Sequence, residues 1–174
     1  MSAMTRLFGA AAGNGVAEVR TGPVGAAVRG AAVAAGGGLL AAGALHVVWV
    51  FSPWPLDSRA DFASVVVGVD ESQLPSGPLT FAVAGLLGAA AGMVLTGARP
   101  TSRIGRSRPV RAGLWVVSGV LAARGIGGLA ASGLELGFKP AEFRHWDLRL
   151  YSPLCVTLGG LTGYVALRTR RRRA

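Results

Sequence analysis

Leu79–Ala98 reads LTFAVAGLLGAAAGMVLTGA, twenty residues without a charged side chain. A helix needs about 20 apolar residues to cross the ~30 Å hydrocarbon layer of a bilayer, so this stretch sets the fold class. Its glycines would argue against a helix in water, at about 1 kcal/mol each relative to alanine. In lipid the backbone has to satisfy itself, and a helix does so within one segment. The run does not alternate polar and apolar residues, as a barrel strand would.

Three more runs of similar length flank it. Gly30–Ser52 is interrupted only by His46, Ala112–Leu134 holds one charge, Arg124, and Leu150–Leu167 holds none. The sequence therefore predicts an all-α fold, a polytopic membrane four-helix bundle over residues 30–167. A small-residue N-terminal segment, 1–29, precedes it and a basic tail, 168–174, follows. The apolar stretch Leu7–Ala12 is too short for a secretory signal. Composition agrees with one membrane domain: 174 residues, 51% hydrophobic and 15% charged, against about 25% charged in a soluble domain.

Charge gives the orientation. Thirteen of the 18 basic residues fall on one side: Arg6, Arg20 and Arg29, then five between Arg99 and Arg111, then five between Arg168 and Arg173. The other side has four (Arg59, Lys139, Arg144 and Arg149) together with seven of the eight acids. Four spans with both termini cytoplasmic satisfy this split, which places the protein in the cell membrane as a multi-pass chain. The net charge of +10 also raises a nucleic-acid reading through Arg170–Arg173. Each basic block abuts a span end, however, so topology and anionic lipid headgroups account for it, and no nucleic-acid partner is expected.

Several chemistries are excluded. One cysteine allows neither an intrachain disulfide nor a cysteine metal cluster. Glu142 and His145 form a single Glu-x-x-His, whereas a di-iron bundle needs two and two further glutamates. There is no Walker loop, no Gly-x-Ser-x-Gly and no aspartate pair for a Mg²⁺-diphosphate. No metal and no cofactor are implied.

Small residues direct the packing. Gly88/Gly92 and Gly159/Gly163 are small-xxx-small pairs, which serve either contacts within the chain or a homo-oligomer. Between the first two spans, Phe62, Val65, Val66 and Val69 recur at helical spacing and predict a short amphipathic helix on the outer surface. Trp54, Phe138, Phe143 and Trp146 are expected at the membrane interface.

Polar groups inside the apolar runs select the candidate site. Arg124 sits mid-span, where an arginine costs ~2.5–3.5 kcal/mol, so it should face the bundle interior and find an acceptor; it is a candidate substrate-binding group. His46, in the outer third of the first span, is a candidate acid or base. Trp49, one turn further, is a candidate wall or anchor. Asp147 and Tyr151 share a helical face at the start of the fourth span and are candidate catalytic residues, with Arg149 as a further binding group. Asp147 is also a candidate helix cap. To act as an acid it would need both arginines to point away from it, or to be neutralised by Glu135 or Glu142. Cys155 reads as a small buried apolar residue.

Ala123-Arg124-Gly125-Ile126-Gly127, Gly137-Phe138-Lys139, Phe143 and the run Trp146–Cys155 resemble the domain of unknown function 3995 family of small bacterial four-span membrane proteins. His46 and Trp49 match as well, and the resemblance covers roughly residues 35–165, most specifically Asp147–Cys155. It departs at Gly128, where the pattern implies an acid. The resemblance implies the fold, and implies that Arg124, Asp147, Arg149 and Tyr151 are family features; it brings no activity.

Two functions are compatible with these residues. One is an intramembrane acid–base enzyme, of cyclase or isomerase type, acting on a lipid-soluble isoprenoid; small multi-span terpene cyclases have a similar architecture. The other is a non-catalytic lipid-binding or assembly protein. The expected partners are membrane lipids, a lipophilic small molecule and a second copy of the chain.

Overall fold

The computed structural model describes residues 23–99, 102–105 and 107–170. Residues 1–22, Arg106 and Arg171–Arg173, which carry part of the charge argument, lie outside the described residues. Within them the chain is helical and has no strand. The long helices are α1 (Pro23–Phe51), α3 (Gly77–Gly97), α4 (Arg108–Gly133) and α6 (Ser152–Arg170); short α2 (Arg59–Phe62) and α5 (Ala141–Trp146) lie between them. A π-helical turn, Asp147–Tyr151, joins α5 to α6, and a second, Ala63–Val67, continues α2. Four helical stretches are long and apolar enough to cross a membrane: Gly25–Phe51, Gly77–Gly97, Arg108–Gly133 and Ala141–Thr169.

Local chemistry explains the starts and stops. α3 and α4 each open on serine, with a proline two residues later in the first turn, where its missing N–H costs no helical bond. α1 likewise begins at a proline, seven residues before the Gly30 boundary read from hydropathy. Residues 23–29 therefore belong to the bundle, because a helix extends beyond its apolar window wherever a good first turn is available. α6 similarly carries three residues of the basic tail, ending at Arg170.

α1 packs along α3 and α4 along α6; α1–α6 and α3–α4 contacts close the ring, and α3 and α6 also meet across it. α1 and α4 thus occupy opposite corners. The α4–α6 crossing is set by small residues. A Cβ on Gly159 would lie 3.1 Å from the Ala122 nitrogen, and one on Gly125 2.8 Å from the Ser152 carbonyl oxygen. Ser118 Oγ donates to the Gly159 carbonyl at 2.9 Å across the same seam. Gly159/Gly163 is thus spent on contacts within the chain, whereas the Cβ directions of Gly88 and Gly92 point into open space.

The packed core occupies one half of the bundle. Ala35, Leu39, Ala91, Val94, Leu114 and Val165 are fully buried there, near the end carrying the 99–107 loop and α6's last turns. The outward faces remain apolar: Val33, Leu86, Val116, Val120 and Ile126 are each more than half exposed. A soluble monomer rarely shows such a surface, whereas hydrocarbon matches it.

Candidate functional site

The other half of the bundle is hollow. Where α1 and α4 stand apart, a cavity of about 410 Å³ opens, roofed by the segment between α1 and α3. α1 contributes His46 and Trp49, α3 Leu79, Thr80 and Val83, α4 Arg124, α5 Phe143, and the π turn Asp147–Tyr151 contributes Tyr151. Arg59, Phe62, Val66, Val67, Leu74 and Pro75 form the roof. Four of the six residues singled out in the sequence, His46, Trp49, Arg124 and Tyr151, therefore meet in one cavity.

The roof is built from the predicted amphipathic helix, though differently from expectation. Ser58 caps α2 by accepting the Asp61 N–H at 3.0 Å. The chain then widens into a π turn and stops at Gly68, whose φ of 74° suits a residue without Cβ. This stop leaves Val69 off the helix, and the apolar side turns inward, with Phe62 buried and Val66 in the cavity wall. Lys139 Nζ donates to the Gly68 carbonyl at 3.0 Å and lies 5.4 Å from the centre of the Phe143 ring, which pins the roof to α5. Phe143 is accordingly buried within the protein.

Arg124 has its acceptor. Its Nη2 donates to Asp147 Oδ1 at 2.9 Å and its Nη1 to Ser152 Oγ at 3.2 Å. Ser152 Oγ donates in turn to Asp147 Oδ1 at 2.9 Å, and Ser132 Oγ to Asp147 Oδ2 at 2.6 Å. Asp147 is 1% exposed and is walled off from the cavity by the arginine, whereas 44% of the Arg124 side chain remains uncovered. Three side chains thus donate to one carboxylate; Arg124 points at Asp147 and, among the described ion pairs, is met by neither Glu135 nor Glu142, so the condition for Asp147 to serve as an acid is not met.

Local backbone accounts for this arrangement. Arg124, Gly128 and Ser132 lie four residues apart on one face of α4. Gly128 sits where a Cβ would run into Ser152 Oγ and the Arg124 guanidinium. No acid fits at 128; the partner comes from the fourth span instead. Asp147 does not cap a helix, because the helix starts six residues earlier with Pro140 at its N-cap. Nor does Asp147 share a face with Tyr151. The π turn adds a residue per turn, so Asp147 faces Ser152, five residues on, while Tyr151 lines the cavity.

The remaining candidates are placed as follows. His46 Nδ1 lies 2.8 Å from the Ala42 carbonyl. A carbonyl only accepts, so Nδ1 is the donor in this contact, which in the neutral ring leaves Nε2 as the acceptor. Trp49 Nε1 donates to the Trp54 carbonyl at 2.9 Å, and its ring stands 4.9 Å from His46 and 5.3 Å from Phe62, centre to centre. Tyr151 Oη reaches the Val65 carbonyl only at 3.5 Å, a weak contact between the two π turns. Arg149 is exposed and outside the cavity, donating to the His145 ring. Ser132 and Ser152, which hold Asp147, were not read from the sequence. The signal available for Ser132 was its place eight residues after Arg124, on the same helical face.

A family model described as Protein of unknown function (DUF3995) matches residues 39–162. That interval contains the whole cavity wall and all four members of the Arg124 network. Neither a curated protein nor a solved structure matches the chain.

Proposed function

The chain belongs to the domain of unknown function 3995 family, and from its geometry we propose that it is a four-span protein of the cell membrane that takes a lipophilic molecule into the hollow half of its bundle. The observation that carries this reading is the Arg124 network. The partly uncovered Arg124 side chain, held by the buried Asp147 carboxylate and the Ser152 hydroxyl, lines a cavity of about 410 Å³ whose other walls are mainly apolar and aromatic, with His46, Thr80 and Arg59 among its other polar groups. Ligand sites have this composition: a largely apolar concavity with a few fixed polar groups. Arg124 is the binding group, Asp147 its positioning residue, and Trp49 a wall. With the termini cytoplasmic, as the basic residues favour, the cavity lies toward the outer leaflet.

The test is the lipid content of protein extracted in mild detergent. Wild type should retain a lipophilic species that Thr80→Trp, which fills the cavity, loses. Identical extracts from both proteins would overturn the reading.

A second reading adds chemistry. His46 Nε2 and the Tyr151 hydroxyl lie on one cavity, an acid–base pair suited to a cyclase or isomerase step on an isoprenoid. In deuterated water the retained molecule should then gain deuterium at carbon in wild type and not in His46→Phe. Equal incorporation in both removes His46 from such a step, and none in either leaves a non-catalytic binder.

A further inference from the structure

Charges and ring systems around the cavity narrow its ligand, provided the binding reading above holds. Arg124 is compensated one for one by Asp147, which is itself cut off from the cavity. Lys139 is engaged by the Gly68 carbonyl and the Phe143 ring and is not part of the wall. Arg59 lines the roof but is largely exposed, and its charge is met by Glu71 at 3.9 Å. The interior therefore offers N–H donors without an uncompensated cation. A desolvated anion would lack a counter-charge there, while a neutral carbonyl oxygen needs only the donor.

Two further features point the same way. His46 supplies an acceptor, Nε2 of the neutral ring, on the α1 wall, and Arg124 supplies a donor on the α4 wall of the same cavity. Four aromatic rings, Trp49, Phe62, Phe143 and Tyr151, come from four different segments and surround the space between them. Such walls favour flat rings, by stacking or edge-to-face contact. Leu79 and Val83 line the cavity and yet are 61% and 40% exposed, so the wall beside α3 opens sideways among outward-facing apolar side chains. An apolar tail can leave there into lipid.

We infer that the cavity binds a neutral, flat, quinone-type ring, with a ring oxygen accepting from Arg124, a hydroxyl of the reduced form donating to His46 Nε2, and any tail passing Leu79 and Val83. The experiment uses the full chain in phosphatidylcholine nanodiscs, titrated with menadione and separately with oleate. The readout is Trp49 emission, isolated as the difference between wild type and Trp49→Phe. Menadione should quench it saturably. The apparent affinity for menadione should fall at least tenfold in the charge-neutral double variant Arg124→Gln with Asp147→Asn, and that for its reduced form menadiol, titrated anaerobically, should fall at least tenfold in His46→Phe as well, both variants shown to be folded by near-ultraviolet circular dichroism. Saturable binding of oleate but not menadione, weakened by Arg59→Gln, would overturn the ring assignment and leave the cavity as a site for anionic amphiphiles. Unsaturable responses to both probes would overturn the ring assignment and the binding reading together. Menadione affinity unchanged in the folded double variant, or menadiol affinity unchanged in folded His46→Phe, would place the ring outside the proposed hydrogen bonds, and that too would overturn the inference.

Discussion

Removing both partners of the Arg124–Asp147 pair should cost well under the sum of removing each alone. Arg124→Leu leaves a carboxylate that is 1% exposed with two serine hydroxyls and no counter-charge. Breaking a buried pair from one side costs ~3–5 kcal/mol. The two remaining hydroxyl donors and the cavity beside Asp147 put the expectation near the lower figure, at about 3 kcal/mol. Asp147→Asn is gentler: the amide keeps an acceptor for Arg124, Ser132 can turn to accept from the new NH₂, and the arginine is already 44% uncovered. Replacing a charge-assisted bond by a neutral one gives about 1–2 kcal/mol. In the double variant the introduced leucine side chain faces a neutral, hydrogen-bonded amide, so the total should fall below the sum of the singles by about 2 kcal/mol, well beyond the ~0.5 kcal/mol within which independent sites add. Reversible unfolding in mixed micelles, followed by near-ultraviolet circular dichroism, measures all four corners of the cycle. Additivity within that margin would refute the claim that the pair acts as a unit.

Other outcomes follow from the same geometry. Gly128→Ala forces a methyl between Ser152 and the guanidinium, and should lose about 1–3 kcal/mol in the same unfolding measurement. Gly68→Ala meets the Phe143 ring from a φ of 74°; it should raise amide hydrogen exchange across residues 59–68 while α4 and α6 stay protected. Gly159→Val pushes α4 from α6 and should lower thermal stability, whereas Gly88→Val, facing open space, should leave the isolated chain unchanged. Reporter fusions at Ser107 and Ala174 should read cytoplasmic and one at Gln73 exterior; a cytoplasmic signal at Gln73 would overturn the charge-based orientation.

The spans were legible because hydropathy over twenty residues is a coarse and robust signal, and so was the need of Arg124 for an acceptor. Its partner was harder to read. Asp147 looked like a cap because Leu150–Leu167 was the apolar part of the span, but Pro140 starts the helix earlier and carries Asp147 inside. The expectation of an acid at 128 shows the same difficulty: the vacancy at Gly128 is what admits a carboxylate from another helix. Periodicity identifies the apolar face of the roof but reports only which residues share that face, not that Phe62 and Val66 turn it inward onto the cavity. The convergence of His46, Trp49, Arg124 and Tyr151 depends on α1 and α4 standing apart at one end, a tertiary property that no local pattern encodes.

The π turn at Asp147–Tyr151 makes the fourth span a helix with one surplus residue, and this turns sequence length into rotation. Excising a single residue there, for instance Leu148, would let the segment wind as an ordinary α-helix and swing everything before it by about 100° about the axis. Phe143 would leave the cavity wall and the Gly68 tether would lose its platform, although no side chain in contact with either had been altered. A relative aligned with a one-residue gap in this turn would therefore share the spans but not the chamber between them, so the gap pattern here can sort family members by whether they keep the cavity.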